Sequence, residues 1–95
     1  MPYIRLSVAR PRRGQEQLLE ELMRKLAGLT AEQQGCIQSW VLRPHDESGE
    51  IARISIYSDE DAAEHSANNQ SVMALRSEMH LLMEPGHVER AFFSI

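Results

Sequence analysis

The sequence contains a single cysteine, Cys36, among its 95 residues. One cysteine cannot form an internal disulfide, and it supplies too few ligands for a structural zinc site. Apolar stretches are short, and none approaches the roughly 20 residues of a membrane-spanning helix. Positive charge is scarce too, because the net charge is −4 and the pI is about 5.5. Nucleic-acid-binding domains usually carry excess basic residues, so we expect neither nucleic acid nor a membrane as a partner.

Several signatures of known chemistry are also missing. The chain has no glycine-rich phosphate-binding loop and no Gly-x-Ser-x-Gly nucleophile motif. The four histidines show no spacing typical of a metal site, so we expect no metal. The residues from Met1 to Arg5 lack the apolar segment of a secretory signal, which predicts a cytoplasmic protein.

Alternation of apolar and polar residues predicts four strands, at residues 3–9, 36–43, 51–57 and 87–95. One face of the first strand carries Ile4, Leu6 and Val8. The other face carries Tyr3, Arg5, Ser7 and Ala9. A polar turn at residues 44–50 joins the second strand to the third, which predicts a hairpin.

Two helical regions separate these strands. Leucine and methionine recur every three or four residues from Gln15 to Leu26, and Gly28 suits the end of that helix. Ser58 is expected to cap the second region. Residues 66–70 form helices poorly, so we expect the second region to break there into two pieces.

The order of these elements is β-α-β-β-α-β. It predicts a ferredoxin-like α+β domain over residues 1–95, with a four-stranded antiparallel sheet and both helices on one face. The sheet contains apolar residues on both faces, so its second face also needs a cover. We expect a homodimer packed sheet to sheet, with Ile4, Leu6 and Val8 near the centre. The alternative is a monomer with an exposed sheet.

Local motifs resemble one family in their order and spacing. Gln34-Gly35-Cys36 opens the second strand, and Tyr57 is followed by Ser58-Asp59-Glu60-Asp61-Ala62. His65 then precedes the polar pair Asn68-Asn69. This pattern is similar to the antibiotic-biosynthesis-monooxygenase-type domain, whose subunits form dimeric α+β barrels.

The chain departs from that family's pattern at several positions. Members with demonstrated chemistry often have Glu and Trp where this chain has Ser55 and Tyr57. His65 lies about one residue closer to Tyr57 than is usual, which makes Ser66 the other counterpart of the family histidine. In the haem-degrading branch an Asn occupies the position of Ser7.

The resemblance implies a cofactor-independent monooxygenase that acts on a phenolic, quinol or polyketide-like aromatic compound. His65 would be the catalytic base, because an imidazole is suited to removing a phenolic proton. The deprotonated ring could then reduce dioxygen without flavin or metal. The resemblance places substrate-binding residues between the sheet and its helices, namely Arg5, Ser7, Trp40, Tyr57, Ser66 and Asn68.

Other interpretations remain open at this stage. The same fold could be a non-catalytic ligand-binding or structural module, or a haem protein with a histidine as axial ligand. His65 could be a surface residue and Trp40 a core residue. Arg5 either orients a substrate oxygen or pairs with an acid such as Glu60 or Glu64.

Overall fold

The computed structural model describes residues 1–95, and its order is β-α-β-β-α-α-β. The strands are β1 (Tyr3–Ala9), β2 (Cys36–Leu42), β3 (Ile51–Tyr57) and β4 (Val88–Phe93). The helices are α1 (Glu16–Ala31), α2 (Glu60–Ala67) and α3 (Gln70–His80). The ferredoxin-like fold is confirmed. None of the three helices has the length and apolar character that crossing a bilayer requires.

The sheet has the order β2-β3-β1-β4, and every neighbouring pair is antiparallel. Its register gives each strand one side toward the helices and one side away from them. We call the side without helices the open face. Ten of its twelve positions are apolar, and the other two are Gln38 and Arg90. The apolar positions are Ile4, Leu6, Val8, Trp40, Leu42, Ala52, Ile54, Ile56, Val88 and Phe92.

A β-bulge in β2 changes which of its residues face the helices. The register with β3 shifts between Cys36 and Gln38, so an extra residue enters β2 there. A shift of one residue exchanges the two faces of a strand. Trp40 therefore lies opposite Ile54 on the open face, where 48% of it is exposed. The predicted position of Trp40, beside a pocket under the helices, is wrong.

Helix α1 is longer than predicted. It continues through Gly28 to Ala31, and both Ala27 and Thr30 beyond the predicted end are buried. A glycine inside a helix costs about 1 kcal/mol relative to alanine. Packing of the extra turn against the sheet outweighs that cost.

The predicted break in the second helical region is confirmed between α2 and α3. The Asn69 side chain accepts hydrogen bonds from the backbone N–H groups of Ser71 and Val72, which starts α3 afresh. The cap of α2 is Asp59 rather than Ser58, because the Asp59 carboxylate accepts the N–H of Ala62 at 2.8 Å. A carboxylate at this end also suits the helix dipole.

The main hydrophobic core lies between the helices and one end of the sheet. Its largest members come from α1 and α3, including Leu19, Met23, Leu26 and Met79. A smaller cluster surrounds Tyr3, Tyr57 and Ala63 at the other end. Every residue of β4 is exposed, so the helices leave that edge of the sheet uncovered. The space between the two clusters and β4 is where a site can form.

Gly35 offers a test of how α2 is held on the sheet. Its φ is +86°, and an added Cβ would lie 2.5 Å from Ala62 Cβ and 3.1 Å from Ser58 Oγ. Gly35→Ala should combine strain from a positive φ, about 1–2 kcal/mol, with overpacking, about 1–3 kcal/mol. Gly49 is a matched control, because its φ is +78° but nothing lies within 4 Å of an added Cβ.

We expect Gly35→Ala to lower the free energy of unfolding by at least about 1 kcal/mol more than Gly49→Ala. Urea denaturation at one protein concentration measures both variants. Equal losses would contradict the close packing of α2 against Gly35.

Candidate functional site

Polar residues cross the middle of the sheet on the side that faces the helices. One row across the strands contains Ser39, Ser55, Arg5 and Ala91, and the next contains Val41, Arg53, Ser7 and Glu89. A side that only packed against helices would be apolar at these positions. The polar band therefore needs an explanation other than packing.

A half-open cavity of about 210 Å³ lies above this band. Its floor comes from β1, β3 and β4, and its roof from the ends of α1 and α2 and from α3. The lining residues are Tyr3, Arg5, Leu6, Ser7, Thr30, Arg53, Tyr57, Ser66, Ala67, Val72, Arg76, Glu89, Arg90 and Ala91. Four are arginines and only one is acidic, so the cavity favours a negatively charged or electron-rich ligand.

Arg53 projects from the middle of β3 into this cavity. Its Nη1 donates to Ser55 Oγ at 2.9 Å, and Ser55 Oγ is also 2.9 Å from Ser39 Oγ. Its Nε is buried and has no hydrogen-bond partner. No carboxylate lies within salt-bridge distance of Arg53, unlike the other two arginines on the helix side.

Burial is the main cause that lowers the pKa of Arg53. Tyr57 and Glu89 oppose this change, whereas the nearby charges of Arg76 and Arg5 add to it. The guanidinium remains charged at neutral pH, because an arginine titrates far above that range. The cavity therefore contains a partly buried positive charge without a counter-ion.

Arg5 lines the cavity and also forms an ion pair. Its Nη2 lies 2.8 Å from Glu64 Oε1 on α2, which confirms the structural pairing weighed from the sequence. The guanidinium carbon lies 5.5 Å from the centre of the Tyr3 ring. Burial alone would lower the pKa of Arg5, but its interactions with Tyr3 and Glu64 raise it overall. Arg5 is thus held in place at one wall.

Glu89, the only acid in the lining, connects the cavity to the surface. Arg76 Nη2 on α3 lies 3.1 Å from Glu89 Oε1, and His87 Nε2 lies 3.9 Å from the same oxygen. His80 stacks near His87 with ring centres 5.0 Å apart. Side-chain ligand atoms of His80, His87 and Glu89 all lie within 4.8 Å of one another, although the spacing in sequence predicted no such cluster.

Residues 2–78 match the family model described as antibiotic biosynthesis monooxygenase. The chain belongs to this family. No protein of curated function matches the sequence significantly. Several solved structures share the fold of nearly the whole chain. Their sequence identities are low, so this similarity shows the fold alone.

SnoaB from Streptomyces nogalater, a cofactor-independent oxygenase, superimposes with a TM-score of 0.86 at 16% identity, covering 99% of this chain and 93% of its own. Rv0793 from Mycobacterium tuberculosis gives a TM-score of 0.91 at 15% identity, covering 100% and 96%. A conserved protein from Methanosarcina mazei Go1 gives 0.90 at 11% identity, covering 97% and 91%.

Four of the site residues expected from the resemblance line the cavity of this antibiotic biosynthesis monooxygenase family member: Arg5, Ser7, Tyr57 and Ser66. Ser66 is fully buried, and its Oγ has no hydrogen-bond partner. Ser66 is the residue that the sequence comparison offered, besides His65, as the counterpart of the family histidine. Arg53 Nε and Ser66 Oγ are thus two buried polar atoms of the lining without partners.

Three expected site residues lie outside the cavity: Trp40, His65 and Asn68. His65 is exposed, because α2 turns Ala63 and Ser66 inward and neighbouring helical residues point about 100° apart. Asn68 is exposed at the end of α2, and Trp40 lies on the open face. No histidine lines the cavity, so a haem there would lack the axial ligand that the haem interpretation requires.

Arg53, Arg76 and Glu89 are lining residues that the sequence analysis missed. Arg53 shares one face of β3 with Tyr57, so strand alternation could have indicated it as a lining residue. No sequence pattern indicated Arg76 or Glu89, because the contact between them depends on how α3 packs beside β4. Cys36 is partly buried, and burial raises the pKa of its thiol, which does not favour a nucleophile.

Two buried serines test the hydrogen bonds under the cavity. Ser55→Ala removes the acceptor of Arg53 and the partner of Ser39, so we expect a loss of about 1–3 kcal/mol in the free energy of unfolding. Ser66→Ala removes a hydroxyl without partners and should change this free energy by less than about 0.5 kcal/mol. Urea denaturation compares the two variants. A larger loss for Ser66→Ala would contradict the hydrogen bonds described here.

Proposed function

We propose that this protein is a monooxygenase that uses dioxygen directly to oxidise a hydroxylated aromatic compound in the cavity. Family membership supports oxygenase chemistry, and a structural neighbour, SnoaB, is a cofactor-independent oxygenase. The observation that carries the proposal is the lining itself, which combines aromatic walls, several arginines and one acid.

The cavity suits a compact aromatic substrate. Tyr3 and Tyr57 are buried side by side on neighbouring strands, and Val72 lies on the opposite wall. Pockets for drug-sized ligands measure about 300–1,000 Å³. A cavity of about 210 Å³ therefore favours one or two rings over a large polyketide.

Glu89 is the proton acceptor in this proposal. It replaces His65, which is exposed and does not line the cavity. Arg76 holds the Glu89 carboxylate at 3.1 Å, and His87 stands 3.9 Å from it, toward solvent. A proton taken from the substrate hydroxyl can leave through His87, whose imidazole can relay it to solvent.

The arginines at the walls favour the phenolate that results. A phenol resembles tyrosine, with a pKa of about 10, and half-ionisation at pH 7 requires a drop of about 3 units or about 4 kcal/mol. One charge at about 4 Å supplies about 4 kcal/mol at an effective dielectric constant of about 20. Arg5 and Arg76 each already have an acidic partner, so each supplies only part of this energy.

The oxidation balances without a further reductant. The electron-rich ring carbon of the phenolate transfers electrons to dioxygen and forms a C–O bond, and the resulting peroxide anion takes up a proton to give a hydroperoxide. Loss of water from this intermediate leaves a quinone. One oxygen atom enters the product and the other leaves as water, so phenol plus dioxygen yields quinone plus water. The substrate supplies all the electrons.

The turnover test compares two candidate bases. An oxygen electrode follows the uptake of dioxygen with a series of phenols, quinols and anthrones, corrected for autoxidation without protein. Glu89→Gln should lower kcat by about 10²-fold or more, because a positioned base contributes about 10²–10⁴-fold. His65→Ala should stay within about two-fold of the unsubstituted protein.

A loss of turnover in His65→Ala, with Glu89→Gln unaffected, would restore the histidine as the base and contradict our assignment. Absence of dioxygen uptake with every compound would contradict the proposed function. Ligand binding that persists without turnover would then identify a binding module of the same fold.

We also propose that two copies pair through their open faces. Ten of the twelve positions there are apolar, and large side chains such as Trp40 and Phe92 are about half exposed in the single chain. Monomeric proteins rarely expose a continuous apolar patch of this kind. A second copy would cover it with a self-complementary surface.

A charge at the centre of the open face should separate the copies. Ile54→Asp places a carboxylate between Trp40 and Leu6, and burying it unpaired is costly. Sedimentation equilibrium should give a mass of twice 10.8 kDa for the unsubstituted protein and 10.8 kDa for Ile54→Asp. Leu81→Asp is the control, because Leu81 is 76% exposed beyond α3 and should leave the dimer intact. A monomeric unsubstituted protein at micromolar concentration would contradict this assembly.

A further inference from the structure

On the helix side of the sheet, Arg53 is the one charged lining residue that the proposed reaction does not use. We infer that its guanidinium binds a carboxylate of the substrate, which is therefore a hydroxylated aromatic carboxylic acid. The aromatic and hydroxyl parts of this inference rest on the proposed function. The carboxylate site rests on the contacts of Arg53 itself.

The first argument is the balance of charge around the cavity. Arg5 is paired with Glu64 and Arg76 with Glu89. Arg90 belongs by register to the open face, where its guanidinium lies 5.3 Å from the centre of the Phe92 ring. Arg53 alone on the helix side has no carboxylate within salt-bridge distance, and Glu89 acts on it only from farther away. A ligand with one negative charge would neutralise it, whereas a dianionic phosphate monoester would leave an excess negative charge.

The second argument is the edge of the guanidinium that remains free. Nη1 is committed to Ser55 Oγ, which Ser39 holds from the other side. The Nε–H and one N–H of Nη2 point in the same direction, away from Nη1. Nε has no partner in the protein, and Nη2 makes no side-chain hydrogen bond. This edge matches the two oxygens of a planar carboxylate, which arginine binds through two parallel hydrogen bonds.

The third argument is the cost of leaving Arg53 as it is. An ion that loses its hydration without gaining a counter-ion destabilises the fold. Burial lowers the pKa of Arg53, and the neighbouring arginines add to this effect, so the isolated cation is disfavoured. A bound carboxylate removes both penalties. Ser66 Oγ, the other buried lining atom without a partner, can donate to a second ligand oxygen.

Binding of 4-hydroxybenzoate tests the inference without any need for turnover. Isothermal titration calorimetry at pH 7 should show binding at least about ten-fold tighter than for 4-hydroxybenzamide, which has the same shape but no charge. Arg53→Gln should weaken 4-hydroxybenzoate binding at least ten-fold and leave 4-hydroxybenzamide binding within about two-fold. Arg43→Gln is the matched control, because Arg43 is exposed and pairs with Glu20 outside the cavity, so binding should be unchanged.

Nitrogen-15 NMR provides a direct reading that does not depend on a substituted protein. The Nε–H resonance of Arg53 should shift on addition of 4-hydroxybenzoate and stay in place with 4-hydroxybenzyl alcohol. Should Arg53→Gln fail to fold, Arg53→Lys keeps the charge but loses the paired donors, and it should still bind several-fold more weakly.

The outcomes separate this inference from the proposed function. Carboxylate binding through Arg53 without oxidation of any hydroxyaryl acid would leave the site standing and contradict the oxygenase proposal. Equal affinities for 4-hydroxybenzoate and 4-hydroxybenzamide, or an unshifted Nε–H resonance, would overturn the carboxylate site even if neutral quinols are oxidised.

Discussion

The structure depends on one geometric constraint, which is that its three helices cover only part of one side of a four-stranded sheet. Only 15 of 95 residues are buried, a small core even for a domain of this size. β4 stays exposed along its whole length. Two surfaces follow from this incomplete cover: an apolar open face on one side, and a half-open cavity beside β4 on the other.

Much of the fold could be predicted because its signals are local. Alternation along β1 identified which residues face the helices, and the polar stretch ending at Gln70 identified the break before α3. The bulge near Cys36 could not be predicted, because it depends on how β2 pairs with β3. That single inserted residue moves Trp40 from the cavity side to the open face.

The site was predicted only where one strand or helix determines it. The resemblance placed Arg5, Ser7 and Tyr57 in the pocket, and strand alternation puts them on the faces that turn toward it. His65 was placed wrongly, because its neighbour Ser66 is the residue that α2 turns inward. Arg76 and Glu89 meet across 13 positions of sequence through the packing of α3 and β4, and no local pattern encodes that contact.

The arginines around the cavity differ in their charge partners. Arg5 and Arg76 have acidic partners, and Arg53 has none. A crystal structure of the complex with 4-hydroxybenzoate tests this account most directly. It predicts two carboxylate oxygens about 2.7–2.9 Å from Nε and Nη2 of Arg53, with the ring beside Tyr3 and Tyr57. A ligand bound elsewhere, or one whose carboxylate points to solvent while Arg53 Nε bonds to water, would contradict it.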